Sequence, residues 1–288
     1  MSMGILFKLI IDIINAMKIV FFGGSKHVIP VLEELKDKLS LVITTEKGNN
    51  EPVIGFCIKN KIPYLFETSF DENLKSSIIN LKSPVAVLAD FGLKIPTEVL
   101  DIFPKGIINI HPSLLPKYRG PTPVQTAILN GDKIAGVSLI KLDEKIDQGP
   151  ILAKQEEEIK DSDTADSLYN RLFKIGSELL NKYLEEYLDG KVKLIEQNEK
   201  EASYTKILIR RSGFFDIKNP PKKEVFQRMI RAFYPWPGVW TKAKFDDQEK
   251  IVKFLPGNKI QVEGKKPVSY KDFENGYPIS YNLLKQVL

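Results

Sequence analysis

Two polar side chains that could take part in proton transfer and oxyanion binding stand at the end of an apolar run. Asn109 and His111 follow Ile107 and Ile108, and a proline-bounded loop begins at Pro112. Residues two apart on a strand share a face, so the amide and the imidazole should point the same way. An imidazole can accept a proton near neutral pH, and an amide N–H can stabilise a developing oxyanion. A lone histidine is more often structural, but this setting favours a catalytic one.

Two other segments could also carry chemistry. Residues 142–150 offer the carboxylates of Asp143, Glu144 and Asp147 after a β-prone run, although an ordinary surface turn would look much the same. Residues 23–25 follow an apolar strand and open a helix, where backbone amides can bind an anion. The dinucleotide fingerprint GxGxxG is missing there, so a nicotinamide-dependent enzyme is weakly supported.

Short apolar runs alternate with segments of helical spacing from residue 18 to about residue 155. Strands are predicted at 18–22, 41–44, 84–89, 106–110, 137–142 and 151–159, and helices at 28–39, 52–60, 74–81 and between the capping cluster 161–164 and Gly190. The alternation is typical of βαβ units and predicts an α/β domain with a mostly parallel sheet. Ligands bind at the carboxyl ends of such strands, where Asn109 and His111 are expected.

The pattern changes after a polar stretch at 196–202. A helix is predicted at 222–233, and short β-prone pieces at 238–245, 249–254 and 259–262 indicate a small barrel or sheet. A length of 288 residues suits two domains. We therefore predict an N-terminal extension (1–16), a first domain (17–192), a linker (193–202) and a basic C-terminal domain (203–288).

Composition narrows the class of protein. The chain is 43% hydrophobic and 27% charged, values of an ordinary folded soluble protein, which excludes disorder and a disulfide scaffold. Its single cysteine, Cys57, cannot form an internal disulfide, and a reducing cytoplasmic setting is expected. Only two histidines are present, which argues against a His- or Cys-built metal centre.

The charge is distributed unevenly. Residues 203–288 carry 17 Lys and Arg against 8 Asp and Glu, a net charge of +9, whereas the 25 basic and 29 acidic residues before them give −4. A basic part of this kind favours a polyanionic partner such as a nucleic acid. A solvated lysine-rich surface is the alternative.

The first 16 residues form an apolar segment that Lys8 and Asp12 interrupt and that is too short to span a bilayer. The sequence from Met17 onward is typical of a native N-terminus that leads into the first strand. We expect an upstream extension there, with a membrane anchor as the less favoured alternative.

The polar motifs together resemble the signature of the formyl-tetrahydrofolate-dependent formyltransferases. The sequence Asn109-x-His111-Pro112-Ser113-Leu114-Leu115-Pro116 with Arg119-Gly120 is followed, 36 residues after the histidine, by Asp147-x-Gly149. The resemblance implies that Asn109, His111 and Asp147 are catalytic. It also implies that the donor, 10-formyltetrahydrofolate, contacts Phe91, Gly92, Leu93, Lys94, Ile95, Ser113, Leu114, Leu115, Pro116 and Asp143.

Within that superfamily the chain most resembles the methionyl-tRNA formyltransferases. Residues 231–238 match a signature at the start of their C-terminal barrel, and residues 204–207 resemble the entry to it. The resemblance implies a Rossmann-like formyltransferase domain with a small OB-like barrel, acting on methionyl-initiator tRNA in translation initiation. The tRNA is expected to contact Lys47, Arg210, Arg211, Lys222, Lys223, Arg228 and Arg231.

Two departures from that family keep a second acceptor open. The basic loop after the second strand shrinks to residues 46–50, and the C-terminal domain is short. Amino-sugar nucleotide N-formyltransferases share the catalytic motif, so an amino sugar is the alternative acceptor. A non-catalytic RNA-binding protein of the same fold is a third hypothesis.

The C-terminal domain with its net charge of +9 favours tRNA as the acceptor, because an acceptor stem presents many phosphates. We expect a cytoplasmic monomer without a metal or membrane contact.

Overall fold

The computed structural model describes residues 18–45, 51–245, 248–285 and 287. The predicted N-terminal extension and Lys47 lie outside these residues. The strands are β1 (Ile19–Gly23), β2 (Leu39–Thr44), β3 (Tyr64–Phe66), β4 (Val85–Ala89), β5 (Ile107–His111), β6 (Ile134–Lys141), β7 (Ile151–Glu158), β8 (Val239–Phe245), β9 (Gln248–Leu255), β10 (Lys259–Val262) and β11 (Val268–Ser269). The helices are α1 (Ile29–Leu35), α2 (Glu51–Asn60), α3 (Glu72–Leu81), α4 (Thr97–Leu100), α5 (Pro123–Asn130), α6 (Ala165–Leu188), α7 (Lys223–Ala232), α8 (Tyr270–Gly276) and α9 (Pro278–Leu284). Within the described ranges, no helix has both the length and the apolar character needed to cross a membrane.

The first seven strands form one sheet in the order β3-β2-β1-β4-β5-β6-β7. The pairs β1–β2, β1–β4, β2–β3 and β4–β5 are parallel, and β5–β6 is antiparallel. Every residue of β1 and of β5 is buried, as expected for central strands covered on both faces. The mostly parallel α/β sheet predicted from the sequence is confirmed.

An aromatic cluster anchors the chain beyond β4. The ring of Phe22 on β1 lies 5.3 Å from that of Phe91 and 6.3 Å from that of Phe103, both in edge-on geometry. Phe91 follows β4 directly, and its side chain is 3% exposed. The loop after β4 is therefore fixed to the core beside the carboxyl end of β5.

Several elements differ from the sequence-based expectation. The helix predicted at 28–39 ends at Leu35, because Leu39 takes an extended conformation and pairs with Ile19 in the parallel ladder. Strand β3 and helices α4 and α5 were not predicted. These elements contain only three to eight residues, too few for a periodicity that would identify them.

The C-terminal strands form a second, antiparallel sheet of four strands, in the order β11-β10-β9-β8 among the described residues. Helix α7 packs against it through Phe226, whose ring lies 5.0 Å from Phe254 and 5.3 Å from Phe215. These three aromatic side chains form the centre of this part of the core. The predicted separate small β domain is confirmed.

The described chain divides into two compact units that are discontinuous in sequence. The first comprises the chain up to Arg119, Val137–Gln155 and Leu172–Ala202, and the second comprises Gly120–Gly136, Glu156–Arg171 and Ser203–Leu288. Within the second unit α5 packs on α7, and the Thr122 hydroxyl donates to the carbonyl of Lys206 at 2.9 Å. The division places two segments before residue 192 in the unit that holds the basic residues. The boundaries at 17–192 and 203–288 remain a prediction.

Candidate active site

The carboxyl end of β5 carries two buried polar side chains. Asn109 is 6% exposed and His111 is 5% exposed. Asn109 is in register with Leu88 on β4 and Ile140 on β6, which places it between two neighbouring strands. An apolar strand run thus delivers an amide and an imidazole to the edge of the sheet where ligands bind.

Asp147 reaches the same place from the loop between β6 and β7. Its Oδ1 accepts a hydrogen bond from Asn109 Nδ2 at 3.2 Å and lies 3.5 Å from His111 Nδ1. The longer distance lies at the upper limit for a hydrogen bond. The structure therefore brings together the three side chains that the sequence singled out as catalytic.

A buried hydroxyl on β6 holds the loop that follows β5. Ser138, fully buried and in register with His111, donates to the carbonyl of Ser113 at 2.7 Å and accepts from the N–H of Leu115 at 3.1 Å. The loop then turns so that the carbonyl of Tyr118 lies 3.0 Å from His111 Nε2. Sequence reasoning missed Ser138, and its only signal was a hydroxyl in an otherwise apolar strand.

The predicted donor-binding loop 91–95 divides into anchors and accessible residues. Phe91 and Ile95 are 3% and 6% exposed and belong to the core of the sheet. Leu93 is half-buried, and Gly92 and Lys94 are exposed. The side chains of Phe91 and Ile95 therefore fix the loop to the core, and the three residues between them keep accessible surface. Contact of these five residues with the donor stays a prediction.

The other predicted donor contacts divide in the same way. Leu115 is fully buried in a cluster with Ile140 and Ile151, and Pro116 is also buried. The hydroxyl of Ser113 donates to the carbonyl of Lys117 at 2.7 Å, so it shapes the loop. That leaves the half-buried Leu114 and the exposed Asp143, whose carboxylate caps a turn by accepting from the N–H of Lys145 at 2.9 Å. Among the described residues no group of three or more His, Cys, Asp and Glu is placed to hold a metal ion.

Gly149 is required by the path of the loop that carries Asp147. A Cβ at position 149 would lie 1.8 Å from the carbonyl oxygen of Lys141, a backbone atom that cannot move aside. Gly149→Ala is therefore expected to lower the free energy of unfolding by about 1–3 kcal/mol, as overpacked positions do. It should also reduce turnover, because Asp147 shifts with the loop.

Urea denaturation of the Gly149→Ala protein measures the stability effect, with Gly55→Ala as the matched control. Gly55 lies in α2, and a Cβ there meets nothing within 4 Å, so alanine should be neutral or stabilising. Equal stability of the Gly149→Ala and parent proteins would contradict the steric argument.

The predicted tRNA-binding residues differ in accessibility. Arg228 and Arg231 on α7 are half-buried: Arg228 packs against Gly131, and Arg231 donates to the carbonyl of Asp163 at 3.1 Å. Burial lowers the pKa of Arg231 from its usual value. Among the predicted residues that the structure describes, the exposed side chains are Arg210, Arg211, Lys222 and Lys223.

Comparison with known proteins agrees with this geometry. A family model described as "Formyl transferase" matches residues 17–184, more than half of the chain. The chain belongs to the formyl transferase family. The resemblance drawn from the motif around His111 is thereby confirmed.

Relatives of this formyl transferase carry a more specific name. A protein named methionyl-tRNA formyltransferase from Caldanaerobacter subterraneus subsp. tengcongensis is 31% identical over 87% of this chain and 84% of its own length. Another so named, from Acetivibrio thermocellus, is 33% identical over 85% of each chain. A third, from Buchnera aphidicola subsp. Schizaphis graminum, is 39% identical over 65% of this chain, which spans only 59% of that relative.

Solved structures share the fold at lower identity. A 4-N formyltransferase from Francisella tularensis superposes with a TM-score of 0.67 at 19% identity, covering 84% of this chain and 98% of the other. A sugar N-formyltransferase from Shewanella sp. gives a TM-score of 0.65 at 19% identity, covering 82% and 96%. At this identity the similarity establishes the formyl transferase fold and not the acceptor.

Proposed function

We propose that this protein is an enzyme that transfers a formyl group from 10-formyltetrahydrofolate to the amino group of methionyl-tRNA. The observation that carries the proposal is the meeting of Asn109, His111 and Asp147 at the carboxyl end of β5. The names of relatives that share 31–33% identity over most of the chain support the choice of acceptor.

The reaction is a direct acyl transfer. The amine nitrogen attacks the formyl carbon on N10 of the folate, forming a C–N bond and a tetrahedral intermediate with a negative oxygen. The intermediate then collapses, the C–N10 bond breaks, and N10 leaves with a proton as tetrahydrofolate. An α-amino group has a reference pKa of about 7.7–8.0, so removing its proton near neutral pH is within the reach of an imidazole.

Each member of the triad has a distinct task. His111 accepts the amine proton at Nδ1, because Nε2 must already carry a hydrogen to bond the carbonyl of Tyr118, and the imidazole returns a proton to N10. An amide carries two N–H donors, so Asn109 can keep its bond to Asp147 and still donate to the oxyanion. Asp147, 3.5 Å from His111 Nδ1, orients the imidazole and stabilises its cation.

The donor is expected to bind beside the triad, on the loops that follow β4 and β5. Leu93 and Leu114 are half-buried and offer apolar surface to a pterin ring, and Gly92, at φ +78°, exposes backbone to hydrogen-bond it. Phe91 and Ile95 hold this edge in place from the core.

The RNA is expected to bind through the basic C-terminal residues. Arg210 and Arg211 are exposed on one short turn, and the indole N–H of Trp240 donates to the carbonyl of Arg210 at 3.1 Å, which fixes that turn to β8. The guanidinium of Arg210 also lies 5.8 Å from the centre of the Trp240 ring. Two adjacent cations on a fixed turn are suited to neighbouring phosphates.

Replacing Arg210 and Arg211 together by alanine should raise the KM for tRNA and leave the KM for the formyl donor unchanged. Each arginine that neutralises a phosphate contributes about 1 to the slope of log affinity against log salt concentration, so the slope should become shallower. Measuring KM over a series of salt concentrations tests this prediction.

A charge-matched control is available in the first unit. Lys36 and Lys59 are both exposed there, and Lys36→Ala with Lys59→Ala removes the same two charges. That protein should keep the parent salt slope. An unchanged slope in the double arginine variant would remove this turn from the RNA-binding surface.

A competition assay tests the acceptor itself. The full-length protein is given 10-formyltetrahydrofolate with methionyl-initiator tRNA or with an amino-sugar nucleotide, and the formylated product is quantified. Formylation of the tRNA alone is expected. Turnover of the sugar nucleotide at an equal or higher rate would replace the proposed acceptor by the alternative one.

A further inference from the structure

A glutamine beyond α6 binds the loop that carries Asp147. Gln197 Nε2 donates to the backbone carbonyls of Asp147 and Gly149, both at 2.8 Å. Its Oε1 accepts hydrogen bonds from Arg119 Nε at 3.1 Å and from Arg119 Nη2 at 2.9 Å. Carbonyls only accept and a guanidinium only donates, so these partners fix which way the amide faces.

The loop needs such an external support. Asp147 has a φ of +54°, in the left-handed region that a residue with a side chain adopts at a cost in energy. On one side the loop packs on β6, where Gly149 meets the backbone of Lys141. Gln197 holds the loop through the carbonyls of the strained residue and of Gly149.

Arg119 connects the glutamine to the other loop of the site. Its side chain is fully buried, and its guanidinium donates to both carboxylate oxygens of Glu199 at 2.7 and 2.9 Å. These hydrogen bonds lower the pKa of Glu199. A buried cation needs such acceptors, so Arg119 is held in place, and with it the preceding Tyr118, whose carbonyl meets His111 Nε2.

The hydrogen-bond network therefore supports both groups that contact the imidazole. Asp147 faces His111 Nδ1, and Tyr118 faces His111 Nε2. The hydrogen bonds of Gln197 to Asp147 and to Arg119 join the two loops that carry these groups. We propose that Gln197 is a positioning residue that fixes the Asp147 loop, so that the carboxylate meets Asn109 and His111 together. This inference deepens the proposed function, because it assumes that the triad carries out the transfer.

Two substitutions separate the tasks of the amide. Gln197→Glu keeps an oxygen acceptor for Arg119 and so preserves the partner of the buried cation, but it removes both donors to the loop. Gln197→Met removes donors and acceptor at similar side-chain length. The matched control is Asn198→Ala, since Asn198 is exposed and, among the described residues, its amide forms hydrogen bonds within its own turn, to Lys200 and Glu201.

For Gln197→Glu we expect kcat for formylation of methionyl-tRNA to fall about 10- to 100-fold, the scale on which ångström-level misplacement of a catalytic group reduces rates. The KM values for both substrates should stay at the parent level. Gln197→Met should lose at least as much, and Asn198→Ala nothing. Parent-level kcat in Gln197→Glu would overturn the proposal.

A spectroscopic readout separates positioning from a general loss of structure. The chain has only two histidines, so ¹⁵N imidazole spectra contain one ring from His111 and one from His27. In Gln197→Glu the His111 nitrogen signals should shift while those of His27 stay in place, and in Asn198→Ala neither should move. A drop in kcat with unchanged His111 signals would overturn the positioning role.

The spectra use no substrate, so they test Gln197 independently of the acceptor. Absence of tRNA formylation by the parent protein would contradict the proposed function. Unchanged His111 signals in Gln197→Glu would contradict the further inference.

Discussion

Replacing His111 by alanine is expected to lower kcat for formyl transfer by about 10²–10⁴-fold, the usual contribution of a positioned acid–base group. The imidazole lies 3.5 Å from Asp147, the carboxylate that also accepts a hydrogen bond from Asn109, and its removal leaves the amine without its proton acceptor. The KM values should change little, because the loss arises in the transition state. Initial rates at saturating donor and tRNA measure the effect.

A second substitution distinguishes the loss of the base from a loss of folding. His111 is 5% exposed, so alanine leaves a buried gap, whereas His111→Asn can keep an N–H at the position of Nδ1, which faces Asp147. An asparagine cannot accept the amine proton, so both variants should lose similar activity. Circular dichroism and urea unfolding confirm that each is folded. Near-parent turnover in a folded His111→Asn protein would remove His111 as the base.

The parts of the site that could be predicted from the sequence share a local signature. Asn109 and His111 stand two apart at the end of an apolar run, and strand periodicity alone places them on one face at a strand end. Asp147 was predicted only from the resemblance to the family motif, because its own segment looks like an ordinary surface turn. The parallel sheet followed from the alternation of strands and helices.

The supporting contacts could not be predicted, because their partners are distant in sequence. Gln197 lies 50 residues from Asp147, and nothing in its neighbourhood marks it as different from an exposed polar linker. The same holds for the core role of Phe91, which the motif presented as a ligand contact. Periodicity reports which face of an element is buried, and it does not report which loop a side chain in a linker will meet.

Packing between segments that are distant in sequence could likewise not be predicted from composition. Helix α5 lies between two segments of the sheet in sequence, yet it packs on α7 of the basic unit. Composition changes at residue 203 mark where the charge begins, and they carry no information about earlier segments that join the same core.

Asn109→Ala should lower kcat by about 10²–10³-fold, the cost of removing one oxyanion donor. Asn109 Nδ2 also donates to Asp147 at 3.2 Å, so part of this loss comes from a less well-held carboxylate. The exposed Asn198→Ala serves as the control for removing an amide, and it should retain parent activity.

A double-mutant cycle decides whether Asn109 and His111 act in one step. Residues that act as a unit lose activity non-additively, so the Asn109→Ala, His111→Ala protein should be only slightly slower than His111→Ala alone. The physical reason is that an oxyanion donor contributes most when the amine can lose its proton and the tetrahedral intermediate forms. Fully additive losses, in proteins shown to be folded, would mean that the amide and the imidazole serve separate steps. Near-parent kcat for Asn109→Ala would exclude the amide from oxyanion binding altogether.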